Sequence, residues 1–274
     1  MKGRVGKMFR GLYTATSGMM TQNRQQQVLT NNLANANTPG FKNDEAAIRS
    51  FPEQLIRAAQ TNQVAPIGHL STGVYVQEGI PSFFQGPLRE TGHSTDLALI
   101  DDNLPADAET GQRSSLLFAV ENVDGDVRYT RNGQFTVDVE GFLTTSFGQR
   151  VLGDNLQPVQ VGDSEFTVQE NGQLTRQDGT AAGNLWIGIT DQPGQLVKQG
   201  HNLLNWEGDD ADAPELAAGG ESFVKQGFIE QSNVDLTRTM TEMMTAFRGF
   251  ESNQKVIQAY DRTMEKAANE IGRV

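Results

Sequence analysis

Near the start of the chain, apolar residues recur at spacings of three and four. Leu12, Ala15, Met19, Gln22, Gln26, Leu29, Leu33 and Ala36 keep this rhythm unbroken and line up one face of a helix as a seam. Two of these positions are glutamines, which weaken a helix pair but can specify its neighbour. The other end repeats the device with Leu236, Met240, Met243, Phe247, Phe250, Gln254, Ile257, Asp261, Met264, Ala268 and Ile271. Ser232, Asn233 and Asp235 are candidate N-caps, and no proline interrupts. At 1.5 Å per residue a helix from Asp235 to Ile271 is about 55 Å long, more than a small core needs.

Most helical stability comes from packing an apolar stripe against something. The economical solution pairs the two ends antiparallel. Polar seam positions and unequal lengths then leave surface that one partner cannot cover.

Between the ends the punctuation becomes that of strands. Asp124-Gly125, Asn132-Gly133, Glu140-Gly141, Asn171-Gly172 and Asp178-Gly179 accept the positive φ of tight hairpins. Val127 to Arg131, Gln134 to Asp138, Glu165 to Gln169 and Leu185 to Thr190 have the near-alternation of half-buried strands. The predicted fold class is α+β, with terminal helices paired as a coiled-coil-like unit around a central antiparallel β domain. The divisions are 1–43 (N-terminal helix and turn), 44–85 (connector, with a short helix around Phe51 to Ala59), 86–221 (β domain) and 222–274 (C-terminal helix).

Composition removes several kinds of chemistry. The 274-residue chain has no cysteine, which excludes disulfides and thiolate-ligated metals. Its 29 glycines suit a turn-rich middle. No apolar run approaches a membrane span, so no membrane insertion is expected. The net charge of −12 is uneven: six bases and no acid before Asp44, and seven of each after Val224, leave −18 for the middle. Such a region repels nucleic acid and anionic membrane, and reads as a solvated outer domain.

Candidate chemistry is sparse. His69, His93 and His201 lack partners at metal-ligand spacing, and nucleophile-elbow, P-loop and dinucleotide motifs are absent. Asp101-Asp102 and Asp209-Asp210 read as solvated turns. No catalytic, cofactor or metal site is expected.

The most specific stretch is Asn31 to Phe41, with four asparagines in seven residues followed by Thr38-Pro39-Gly40-Phe41. It ends the first helix, and the Pro-Gly pair fits a type II turn that gives Phe41 an anchoring position.

Gly11 to Met19 followed by Asn31 to Phe41 resembles the N-terminal signature of the flagellar basal-body rod and hook protein family. Gly227 to Asp235 and Ala246 to Gln258 resemble its C-terminal signature. Asp96 to Ile100, Arg128 to Phe135 and Val151 to Asp154 match between them, in order. Ala34 to Thr38 and the connector starting at Asn43 are most similar to rod subunits close to the hook, including the pair used in Gram-positive rods. Two departures stand out: a polar insertion from Asp101 to Ser115, and Met1 to Lys7 ahead of the family's usual start.

The resemblance implies a structural rod subunit, exported by the flagellar type III apparatus, whose ends are disordered as monomer and fold on helical assembly with copies of itself and other rod and hook subunits. The implied assembly interface comprises Leu12, Met19, Leu29, Leu33, Asn35, Asn37, Phe41, Leu236, Met240, Met243, Phe247, Phe250, Ile257 and Met264. Two other readings stay open: a carbohydrate-binding or peptidoglycan-acting β domain on a coiled-coil stalk, and a hook or hook-junction subunit.

Overall fold

The computed structural model describes residues 2–51, 54–60, 63–70, 73–101, 104, 114–122, 124–209, 212–217 and 223–271. It is an α+β molecule in two compact units.

The first unit gathers both terminal helices and residues 44–80. Helix α1 spans Lys2–Ala34 and helix α2 spans Leu236–Ile271. Asp235 caps α2: its Oδ1 accepts the Arg238 amide at 3.1 Å, satisfying a donor that the first turn leaves without a partner. The helices pack antiparallel, as close contacts step along both. Gly11 lies against Tyr260, Gly18 against Asn253, and Gly249 against Gln22. Each advance of a heptad on α1 matches a heptad of return on α2, with a small residue facing a large one.

Polar residues of α1 hold the adjoining strands. Buried Asn32 donates its side-chain amide to the Asp44 carbonyl at 2.8 Å and accepts the Asp44 amide at 2.9 Å. Buried Thr21 donates to the Val74 carbonyl. Strand Asp44–Ser50 pairs with Val74–Pro81, and Gln54–Gln60 pairs antiparallel with Gln63–Leu70. The short helix expected around Phe51 to Ala59 is therefore a strand. The register closes at Gln60↔Gln63, so these residues find ladder partners across a two-residue connection, and tertiary pairing overrides a weak local propensity.

The second unit contains residues 35–43 and 81–234. Among the described residues its main sheet has nine strands, seven running in the order Leu196–Gln199, Leu203–Trp206, Val127–Thr130, Ser115–Glu121, Arg150–Val151, Leu143–Thr145, Phe135–Val137. Ile187–Thr190 also pairs with Ser115–Glu121, and Glu215–Leu216 pairs with Ile187–Thr190. Ser115–Glu121 is buried on both faces. Alternation sends Leu116, Phe118 and Val120 into the main core, and Leu117 and Ala119 into two smaller clusters. Phe118 meets Phe135 edge to face at 5.2 Å.

Gly125, Gly141, Gly172 and Gly179 have positive φ, as tight turns require. Asn132-Gly133 is different: it makes no hairpin. Gly133 lies so close to the Leu97 carbonyl that a Cβ would collide with it, and its own carbonyl accepts the Leu97 amide at 2.9 Å. Glycine serves close backbone approach there, not a turn. The polar insertion at 101–115 falls largely outside the described residues.

Candidate functional site

Two constellations stand out, one in each unit. In the second unit, the segment after α1 folds onto the β domain through the predicted turn. Gly40 has φ 68°, and the Phe41 amide donates to the Thr38 carbonyl at 3.3 Å. The Gly40 amide donates to the Glu230 carbonyl at 2.9 Å, and a Cβ on Gly40 would lie 2.5 Å from the Arg131 carbonyl carbon. Phe41 is buried, with the Lys198 ammonium 4.1 Å from its ring centroid. Asn202 donates to the Pro39 carbonyl at 2.8 Å.

Beneath this turn lies a buried charge network. The Lys42 ammonium sits 2.7 Å from Glu230 Oε1, with both side chains 2% exposed. The Arg131 guanidinium donates to Glu230 Oε2 through Nε and forks onto both Asp101 oxygens at 2.9 and 2.7 Å. Two cations face two anions. Lys42 also donates to the Phe84 carbonyl, Arg131 to the Leu99 and Leu116 carbonyls, and Gly86 donates its amide to Glu230. The remaining donors are thereby satisfied, which a buried charge cluster requires.

Burial disfavours each charge, and the partners decide the outcome. Burial, aided by nearby Arg131, lowers the Lys42 ammonium to about 8 against the pull of Glu230. Burial acts to raise Glu230, yet Arg131 and Lys42 outweigh it and hold the carboxyl below its usual range. Burial acts to lower Arg131, and the Glu230 and Asp101 carboxylates outweigh it, raising it further. All three are therefore charged at neutral pH.

The sequence reading missed this network. Asp101 is a partner of Arg131, not a solvated turn residue, while Asp102 and Asp210 lie outside the described residues. Lys42, Arg131 and Glu230 stand in or beside the quoted motifs, and that proximity was the available signal. Asn233 was missed too: it accepts the Asn43 amide at 2.7 Å and donates to the Ser82 and Phe84 carbonyls.

In the first unit, the α2 residues facing α1 include Thr239, Ala246, Asn253 and Tyr260, interleaved with half-buried Met243, Phe250, Ile257 and Met264. On α1, Leu29 is buried and Leu12, Met19 and Leu33 are half-buried. Leu236, Met240 and Phe247 lie outside this contact and are exposed, as are Met244, Tyr13 and Met20. The small and polar residues carrying one row of the α2 contact were invisible to a hydrophobic pattern, which selected their apolar neighbours. Asn35, in the second unit, accepts bonds from Thr38, and Asn37 is exposed.

Among the described residues no group of three or more His, Asp or Glu could hold a metal, and no helix is long and apolar enough to cross a membrane. The His201 and Phe147 rings lie 4.3 Å apart, tilted by 53°.

Three family descriptions match in chain order: "Flagella basal body rod protein" over residues 12–42, "Flagellar hook protein FlgE/F/G D1 domain" over 117–204, and "Flagellar basal body rod FlgEFG protein C-terminal" over 225–270. The flagellar hook-basal body complex protein FlhO of Bacillus subtilis is 42% identical over 273 residues, covering 97% of this chain and 100% of the relative. The flagellar basal-body rod proteins FlgG of Bacillus subtilis and Borreliella burgdorferi are 31% and 30% identical, each over 96% of this chain and 99% and 98% of their own. The similarity spans nearly the whole chain, and the chain belongs to the flagellar basal-body rod protein family, as a structural subunit of the basal body.

Proposed function

We propose that this chain is a non-enzymatic axial subunit, delivered by the flagellar export apparatus, that polymerises helically with copies of itself and with other rod and hook subunits through its terminal helices. The helices act as a coiled-coil-like pair with unfinished outer surface. In this reading 1–43 and 222–274 carry assembly, 44–85 connects, and the acidic 86–221 domain is the outer body. The interface residues are Leu12, Met19, Leu29, Leu33, Asn35, Asn37, Phe41, Leu236, Met240, Met243, Phe247, Phe250, Ile257 and Met264.

The observation that carries this reading is the exposed apolar stripe Leu236, Met240, Met244 and Phe247 on α2, spaced to lie on one helix face. A contiguous exposed apolar stripe marks an interaction surface, and an interface that does not close on itself yields a filament. Fractionation of basal bodies from cells making a Met240→Glu, Phe247→Glu chain tests it. The unaltered chain is expected in the rod fraction and the variant is expected to be lost from it. Undiminished incorporation of the variant refutes the role of the stripe.

A further inference from the structure

The two helices carry matching exposed rows. Tyr13 and Met20, 71% and 69% exposed, are seven residues apart on α1; Met240 and Phe247, 46% and 54% exposed, are seven apart on α2. Phe247 borders an open groove of about 440 Å³ lined by Gln26, Thr30, Met243, Met244, Phe247 and Arg248. In the same groove, the Gln26 side-chain nitrogen is buried without a hydrogen-bond partner. A buried donor left unpaired costs stability, so an acceptor arriving from outside gains more here than on open surface.

We propose that the occupant of this groove is α1 of a second copy, seated with Tyr13 against Phe247 and Met20 against Met240, its Tyr13 hydroxyl accepting from Gln26. This rests on the self-assembly proposed above and specifies its contact. Charge disfavours an α1-to-α1 contact. Helix α1 carries five bases and no acid, whereas α2 carries five of each. Two α1 helices side by side repel one another, and α1 against α2 does not.

The spacing selects the register. Among the described residues, both large exposed residues of α1 find large exposed partners when the neighbour runs antiparallel to α2, as the molecule's own α1 does, with Tyr13 beside Phe247 and Met20 beside Met240. Relative to that α1, the neighbour is displaced by about 11 residues, on the order of 16 Å along the axis. The contact uses different faces on the two copies, so it is heterologous and can propagate from copy to copy instead of ending at a two-fold pair.

The chain has no native cysteine, which makes cross-linking unambiguous. Full-length chain with Tyr13→Cys and Phe247→Cys is polymerised, oxidised and run under non-reducing conditions, beside Tyr13→Cys alone. A ladder of multimers from the double variant, with no dimer from the single one, is the expected result. Polymer that gives no ladder, or dimers from Tyr13→Cys alone, overturns the α1-to-α2 contact while leaving self-assembly intact. Failure of the unaltered chain to polymerise overturns the self-assembly reading, and this contact with it.

A second variant reads the hydrogen bond. Gln26→Met keeps the volume and removes the orphaned donor. The monomer is expected to melt no lower, while the concentration needed for polymerisation rises roughly threefold to tenfold. An unchanged critical concentration removes Gln26 from the contact.

Discussion

Glu230 accepts from Lys42 and Arg131 at once, one carboxylate oxygen to each, across 188 and 99 residues of sequence. Replacing it with glutamine leaves two buried cations facing only Asp101. Breaking a buried ion network from one side costs about 3–5 kcal/mol. Glu230→Gln is therefore expected to lower unfolding stability by that amount in urea titration. Glu242→Gln, which removes an exposed helix pair with Arg238, is expected to change it by less than about 1 kcal/mol.

The same carboxyl sets an acid limit. Its folded-state pKa lies below the usual 4.5, so its stabilisation is full above that value and is lost as pH falls through the lower folded value. Lys42 behaves oppositely. Its pKa is about 8 when folded against 10.5 when unfolded, so the folded state binds fewer protons between these values and stability from this group rises across that window. Unfolding free energy measured from pH 3 to 10 is expected to show both slopes. Lys42→Met should abolish the rise at high pH, and persistence of the rise would assign it to another group.

Gly40 and Gly179 both have positive φ, but their surroundings differ. A Cβ at Gly179 meets open space, whereas one at Gly40 meets the backbone of Arg131 and Asn132. Gly179→Ala is expected to cost about 1–2 kcal/mol from conformation alone. Gly40→Ala should cost clearly more, because the turn must lift off the β domain. Thermal melts of the two variants compare them directly.

A Cβ on Gly18 would lie 2.9 Å from the Asn253 side-chain nitrogen. Gly18→Leu is expected to separate the helices and expose both ends to protease. Trp186 and Trp206, the two tryptophans, lie in the β domain, so their fluorescence should stay native while the helical circular dichroism falls. Loss of both signals together would mean that the two units unfold as one.

Much of the local structure was legible in the sequence. The two helices, the Thr38 to Phe41 turn and four of the five glycine turns follow from periodicity and from residues that tolerate positive φ, and these act within a few positions of one another. The Asn132-Gly133 error marks the limit of such reasoning: the same dipeptide serves a turn or a close approach, and only the neighbouring Leu97 carbonyl distinguishes them.

What the chain alone determined was the two terminal helices, most of the tight turns and the apolar stripes at both ends, because these depend on short-range geometry; Gln54–Gln60 became strand only through its pairing with Gln63–Leu70. Tertiary structure decided which charges meet and which α2 residues touch α1. Lys42, Asp101, Arg131 and Glu230 carry no local mark of pairing, since a buried ion network is defined by desolvation that exists only once distant segments converge. Rotating the α2 contact by one residue, from Met240 and Phe247 to Thr239 and Ala246, likewise depended on the partner helix, whose Gly11 and Gly18 admit Tyr260 and Asn253 in the same row.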